Sequence, residues 1–82
     1  MNTDKIIEVN IGDIRLNPSD VLPYETIEQR EKIDELAKDI LEEGQLEPIR
    51  LTKDLGILDG HCRYFACKKL GYVTIKARII GI

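Results

Sequence analysis

The stretch LDGHCRYFACKKLG, residues 58–71, holds the side chains best suited to chemistry. Asp59, Gly60, His61, Cys62 and Arg63 follow one another: a carboxylate, a flexible link, an imidazole, a thiol and a guanidinium. If a strand ends at Asp59 and a helix starts at His61, the first helical amides have no internal acceptors. They then face outward at the positive end of the helix dipole, where anions bind. Gly60 has no side chain to hold a phosphate off the backbone. Arg63, in the first turn, offers a fork matched to phosphate oxygens. Asp59 at the rim could accept a hydroxyl proton, or hold a Mg²⁺ that already carries phosphate. The same residues admit a plainer reading: Asp59 or Gly60 caps the helix, His61 faces solvent, and Arg63 lies along the edge of the core.

The elements needed to position this stretch are legible. Ile7, Val9 and Ile11 recur at period two, with Ile6 beside them, and predict a strand over 6–11. GDIRLNPSDVLPYE then reads as a loop punctuated by Pro18 and Pro23. Residues 27–43 predict a helix, with Ile33, Leu36, Ala37 and Ile40 as its apolar stripe. Thr26 is its expected N-cap, with Gln29 completing a capping box, and Gly44 its expected C-terminal stop. The opposite face carries Glu28, Glu31, Glu35, Lys38, Asp39 and Glu42 and reads as solvated. IRLT after Pro48 and ILD at 57–59 predict a hairpin, with Gly56 expected to supply the unusual backbone angle of its turn. A second helix over 61–70 ends at Gly71, and TIKARII (74–80) predicts a last strand with one half-buried face. The expected fold is a small α+β domain in the order β-α-β-β-α-β, a mixed sheet of about four strands with two main helices.

Composition bounds the rest. The chain has 82 residues, one domain's worth, with 43% hydrophobic and 33% charged residues. Its net charge of −3 argues against holding DNA through phosphate neutralisation. No apolar run approaches the ~20 residues that span a bilayer, and MNTDKIIEVN lacks the features of a secretory signal. Cys62 and Cys67 fall about 140° apart on the second helix, so they are not expected to bond each other. A reduced, cytoplasmic protein is the expectation. Ala66, Cys67 and Leu70 share a face with Arg63 while Phe65 points nearly opposite. Either that helix is buried on two sides or Phe65 is an apolar spot for a homodimer, a further C-terminal segment or a partner protein.

The whole chain resembles the ParB N-terminal/sulfiredoxin-like domain family. IEVNIGDIRLNP, IDELAKDILEEGQLEPIRL and ILDGHCRYFACKKLGYVTIKARII carry the resemblance, with the junction GQLEPI between helix and strand. It implies nucleotide binding (ATP, ADP or CTP, with Mg²⁺) by the segment matching Gly60, His61, Cys62 and Arg63. CTP-binding ParB proteins have Gly-Glu-Arg-Arg there; this chain keeps Gly60 and Arg63. Sulfiredoxins have Gly-Gly-Cys-His-Arg; here His61 stands at the nucleophile's position and Cys62 at the next, so sulfiredoxin chemistry is not expected. The box most like this one is Asp-Gly-His-His-Arg of the free serine kinase branch, matched at Asp59, Gly60, His61 and Arg63, with Cys62 replacing the second His. That branch also has Pro-x-Glu in its first loop, which resembles Pro23-Tyr24-Glu25 and implies Glu25 as the carboxylate that activates an acceptor hydroxyl. Its plainer role is an acid favoured near a helix start. Lys32 matches a nucleotide-contacting lysine of the sulfiredoxin branch, or else pairs with Glu28 on its own helix.

Three functions follow as expectations. One is a nucleotide-binding domain with phosphotransfer or hydrolase activity, in which Glu25 and Asp59 are catalytic. Another is a non-catalytic ParB-like module, acting through a nucleotide switch or a protein partner in DNA partition or transcription. ParB proteins and serine kinases continue past the position of Ile82, and no helix-turn-helix reads within the 82 residues, so DNA is expected only indirectly. A redox role through Cys62 is the third.

Overall fold

Nine short elements build the chain in the computed structural model, which describes residues 5–45 and 47–81. The strands are β1 (Ile6–Asn10), β2 (Ile49–Leu51), β3 (Ile57–Asp59) and β4 (Thr74–Ile79). The α-helices are α1 (Pro18–Val21), α2 (Ile27–Glu43) and α3 (His61–Lys69), and Ile11–Asp13 and Leu22–Glu25 form 3₁₀ turns. The expected mixed sheet is present, in the order β1-β4-β2-β3. β4 sits inside it, antiparallel to β1 and parallel to β2, while β2 and β3 form the antiparallel hairpin. Residues 1–4, at the head of the expected signal-free N-terminus, and Leu46 of the GQLEPI junction lie outside the described residues.

One core joins the helices to the sheet. Ile33, Ala37 and Ile40 of α2 and Tyr64, Ala66 and Cys67 of α3 meet Val9, Ile49, Leu51, Ile75 and Ala77 from the strands. α3 is therefore buried on two sides. Ile7 departs from the period-two expectation at 39% exposed, because the core closes over only the second half of edge strand β1, at Val9. Among the described residues no helix is long and apolar enough to cross a membrane, and both cysteines are free thiols.

The helix ends and the hairpin turn follow their sequence signals, with one correction in each. Thr26 Oγ1 accepts from the Gln29 amide at 3.2 Å, as a capping box requires. The Gln29 side chain does not return the bond; its Oε1 accepts from Cys62 Sγ at 3.8 Å instead. Gly44 ends α2 with φ +79° and its amide on Ile40 O. Gly71, also at φ +79°, ends α3 in a Schellman arrangement in which the Tyr72 amide reaches back to Cys67 O at 3.0 Å. In the β2–β3 turn the left-handed residue is Leu55 (φ +67°), not Gly56. The turn is held by Thr52, whose carbonyl accepts from the Leu55 amide and whose Oγ1 accepts from the Gly56 amide, and Leu55 packs its side chain on the core.

Gln45 completes the scaffold. It is 6% exposed, and its Oε1 accepts from the Lys76 amide at 2.7 Å while its Nε2 donates to Lys76 O at 3.0 Å. β2 pairs with β4 only from Ile49 opposite Ala77. The Gln45 amide thus serves the main-chain groups of β4 one residue before the strand arrives, as the need to satisfy buried backbone demands.

Candidate functional site

α3 begins where Gly60 turns the chain off β3 with φ +99° and ψ 27°. Two constraints select glycine. The left-handed angle strains any residue with a Cβ, and a Cβ here would lie 2.6 Å from Ile49 Cγ2. Close packing on β2, rather than room for a ligand, is the steric reason the structure gives for Gly60. The Tyr64 amide donates to Gly60 O at 2.9 Å, the first bond of the helix, and no side chain caps this end. The amides of His61, Cys62 and Arg63 precede that bond, so the helix itself gives them no acceptor.

The four residues of the box do not converge. His61 and Arg63 are about 200° apart around α3. His61 turns toward residues 17–26. Its side chain is 18% exposed, and Nε2 is buried without a hydrogen-bond partner. Nε2 lies 3.9 Å from Asp20 Oδ1, beyond hydrogen-bond range. The imidazole stacks on the Tyr24 ring, with centroids 5.5 Å apart and planes within 11°. Tyr24 also tilts against Phe65 at 5.2 Å, and Phe65 meets Tyr64 edge-on at 5.2 Å. Of the two expectations for this helix, burial on two sides is the one the fold shows: Phe65 is half-buried among the chain's own aromatic rings. Burial raises the Tyr24 hydroxyl pKa above its ordinary value, and negative charge on Cys62, Asp20 and Asp59 raises it further.

Arg63 leaves on the other side. Its guanidinium lies 4.0 Å from Glu47 Oε2 and lines a pocket of about 190 Å³ with Asp39, Glu43 and Glu47 above Leu36 and Ile40. Its charge is felt at Cys67, partly opposing the upward pKa shift that burial gives that thiol. Arg63 thus faces Glu47, on a different side of α3 from His61.

Asp59 is exposed at the end of β3, with Arg50 as its register partner. Glu25 is exposed in the 3₁₀ turn beside Tyr24, and Lys32 is exposed on α2. Among the described residues Lys32 joins no ion pair, so the pairing expected with Glu28 does not form; both side chains remain in water, where such a pair is worth little. No three His, Cys, Asp or Glu side chains gather as a metal set among the described residues. A Mg²⁺ at Asp59 would take its other ligands from a bound phosphate and water. Sequence reasoning missed Tyr24, Asp20 and Gln29, which surround His61 and Cys62. Tyr24 stood in view, between the Pro23 and Glu25 of the first-loop motif.

Comparison with known proteins gives the fold and the family. A sulfiredoxin from Arabidopsis thaliana is 27% identical, with a TM-score of 0.77 over 95% of this chain and 86% of that one. A C-terminally truncated chromosome-partitioning protein ParB from Caulobacter crescentus, complexed with CTP-γ-S, is 24% identical, with a TM-score of 0.77 over 95% of this chain and 45% of that one. A pNOB8-like ParB N-domain is 19% identical, with a TM-score of 0.74 over 95% and 29%. The chain spans less than half of either ParB chain. No curated protein matches the sequence. The family model of the ParB N-terminal domain matches residues 1–82, and the chain belongs to that family.

Proposed function

We propose that this chain is a nucleotide-binding ParB-like module that takes phosphate oxygens at the start of α3. The observation that carries the reading is an uncapped helix start beside a buried, unpartnered imidazole nitrogen. A buried polar atom without a partner costs about 1–3 kcal/mol, and a ligand oxygen at Nε2–H would recover it. The amides of His61, Cys62 and Arg63 would hold the phosphate, with the helix dipole behind them. Arg63 would add its charge on exchanging Glu47 for the ligand; the pair is long and Glu47 is 77% exposed, so the exchange costs little. Asp59, on the rim, would meet a Mg²⁺ brought in on the phosphates. The CTP-γ-S complex of the Caulobacter ParB supports a nucleotide as the ligand class.

A finer reading within this one is phosphotransfer of the free serine kinase type, with Glu25 accepting the proton of the acceptor hydroxyl and Asp59 serving the metal. Asp59 ends β3 just before α3, and Glu25 is exposed in the turn beside Tyr24, whose ring stacks on His61. The other reading is a non-catalytic switch, with nucleotide binding coupled to a partner in DNA partition or transcription. A redox role for Cys62 has less support, since its thiol donates to Gln29.

Thermal unfolding with CTP, ATP or ADP, with and without Mg²⁺, tests the reading. A ligand at 100 times its Kd stabilises by about 2.7 kcal/mol. No shift with any of them overturns it. Phosphate release with and without free serine separates the finer readings: turnover that Glu25→Gln stops while sparing binding supports phosphotransfer, and binding without turnover supports the switch. Activity that survives Cys62→Ser removes the redox role.

A further inference from the structure

We propose that residues 17–26 form a strap across the start of α3, with Tyr24 as a plug that must leave His61 before an anion can enter. The strap is tied at both ends. The Arg15 amide donates to Leu55 O at 2.9 Å before it, and Thr26 caps α2 after it. Asp20 stiffens its middle, accepting from the Asn17 amide through Oδ2 at 3.2 Å while its own amide donates to Asn17 O at 2.8 Å.

Against α3 the attachment is of a different kind. Among the described residues its polar and aromatic contacts there run through two side chains, and neither forms a hydrogen bond to the helix. Tyr24 stacks on His61 and leans on Phe65, and Asp20 faces His61 Nε2 from 3.9 Å. Such a strap can lift without leaving a broken hydrogen bond behind. Closed, it places a ring over His61 and the Asp20 carboxylate beside the helix start, both of which oppose an incoming phosphate. Lifted, it takes Asp20 away and leaves the amides of α3 with the His61 nitrogen. Burial, ahead of the negative charges nearby, raises the Tyr24 hydroxyl pKa, which agrees with a ring packed down rather than free in water.

Cys62 is half-buried beside the plug and Cys67 is fully buried in the core, so the two thiols report separately on strap opening and on global unfolding. Iodoacetamide labelling of the native protein, read site by site by mass spectrometry, is the test. Tyr24→Leu keeps an apolar side chain and removes the stack. It should speed labelling of Cys62 about tenfold, the change that 1.4 kcal/mol of lost closure gives, while Cys67 stays as slow as in the unaltered chain. Tyr24→Phe, which keeps the ring, should leave Cys62 within about twofold. A Cys62 rate unmoved by Tyr24→Leu, or a Cys67 rate that rises with it, overturns the strap. If Tyr24→Leu fails to fold, Tyr24→Phe and Phe65→Leu decide, the second removing the plug's other ring contact and accelerating Cys62 alone. The gating of an anion, unlike the opening itself, rests on the proposed phosphate site. There, Tyr24→Leu should tighten whichever of CTP, ATP or ADP the unaltered chain binds, and weaker binding would make Tyr24 part of the site and overturn the plug. If no nucleotide binds either protein, the phosphate reading fails while the labelling result still judges the strap.

Discussion

His61 and Arg63 stand two residues apart on α3, yet they enter opposite environments. The imidazole lies under an aromatic ring with one nitrogen buried and unpartnered, 3.9 Å from a carboxylate. The guanidinium lies over a groove walled by Asp39, Glu43 and Glu47, 4.0 Å from the exposed Glu47 carboxylate. One side of the first turn holds an unmet need for a hydrogen bond; the other holds a pairing that water largely screens. The comparison teaches that a box of adjacent functional residues is not yet a site, because a helix splits neighbours between its faces.

The largest effect expected belongs to the residue both sides share. Gly60→Ala forces a Cβ into Ile49 at a left-handed backbone angle and should cost about 3 kcal/mol in urea unfolding. A loss under about 1 kcal/mol would mean the turn relaxes, and that the two faces are less firmly set than described. His61→Ala should weaken nucleotide binding by about tenfold or more, or 1.4 kcal/mol, in a calorimetric titration, whereas Glu47→Gln should strengthen it by about threefold at most by freeing Arg63. If instead Arg63→Ala is harmless to binding, the guanidinium serves its groove alone. His61→Phe keeps a ring for Tyr24 and removes the unpartnered nitrogen, so it should raise stability by about 1 kcal/mol, measured by the urea midpoint, while binding weakens as in His61→Ala.

The Arg63 side also predicts an alkaline trend. Burial raises the Cys67 thiol pKa in the folded chain, with Arg63 opposing. The unfolded thiol then ionises first, so this contribution is complete below the ordinary thiol range near pH 8.5 and is lost as pH rises through it. Urea midpoints should fall between about pH 8 and 10, and Cys67→Ala should flatten that fall. The smallest effect is Glu47→Gln on stability itself, under about 0.5 kcal/mol, as befits an exposed pair.

Local signals in the sequence were dependable where one residue faced one physical demand. Thr26 had a helix start to cap, Gly44 and Gly71 had left-handed ends to occupy, and the 3.6-residue stripe of α2 had a core to join. They failed where a tertiary partner decided the outcome. Gln29 gave its side chain to Cys62, 33 positions away, instead of to its own helix. Leu55 took the left-handed angle expected of Gly56, where Thr52 holds the turn and the core receives the leucine side chain. Gln45 reads as an ordinary polar residue after a helix, and only the late start of β2 reveals its bonds to Lys76. The box at Asp59–Arg63 was visible as chemistry. Its division between Tyr24 and Glu47 was not, since both partners come from segments distant in sequence.

The central claim, that the amides opening α3 on the His61 side receive a phosphate, can be tested by titrating isotopically labelled protein with CTP, ATP and ADP and following backbone amide resonances. The account predicts that at least one nucleotide shifts the amides of His61, Cys62 and Arg63 more than any others, with Tyr24 moving alongside. Shifts centred on Asp39, Glu43 and Glu47 instead, or none at millimolar nucleotide, would contradict it.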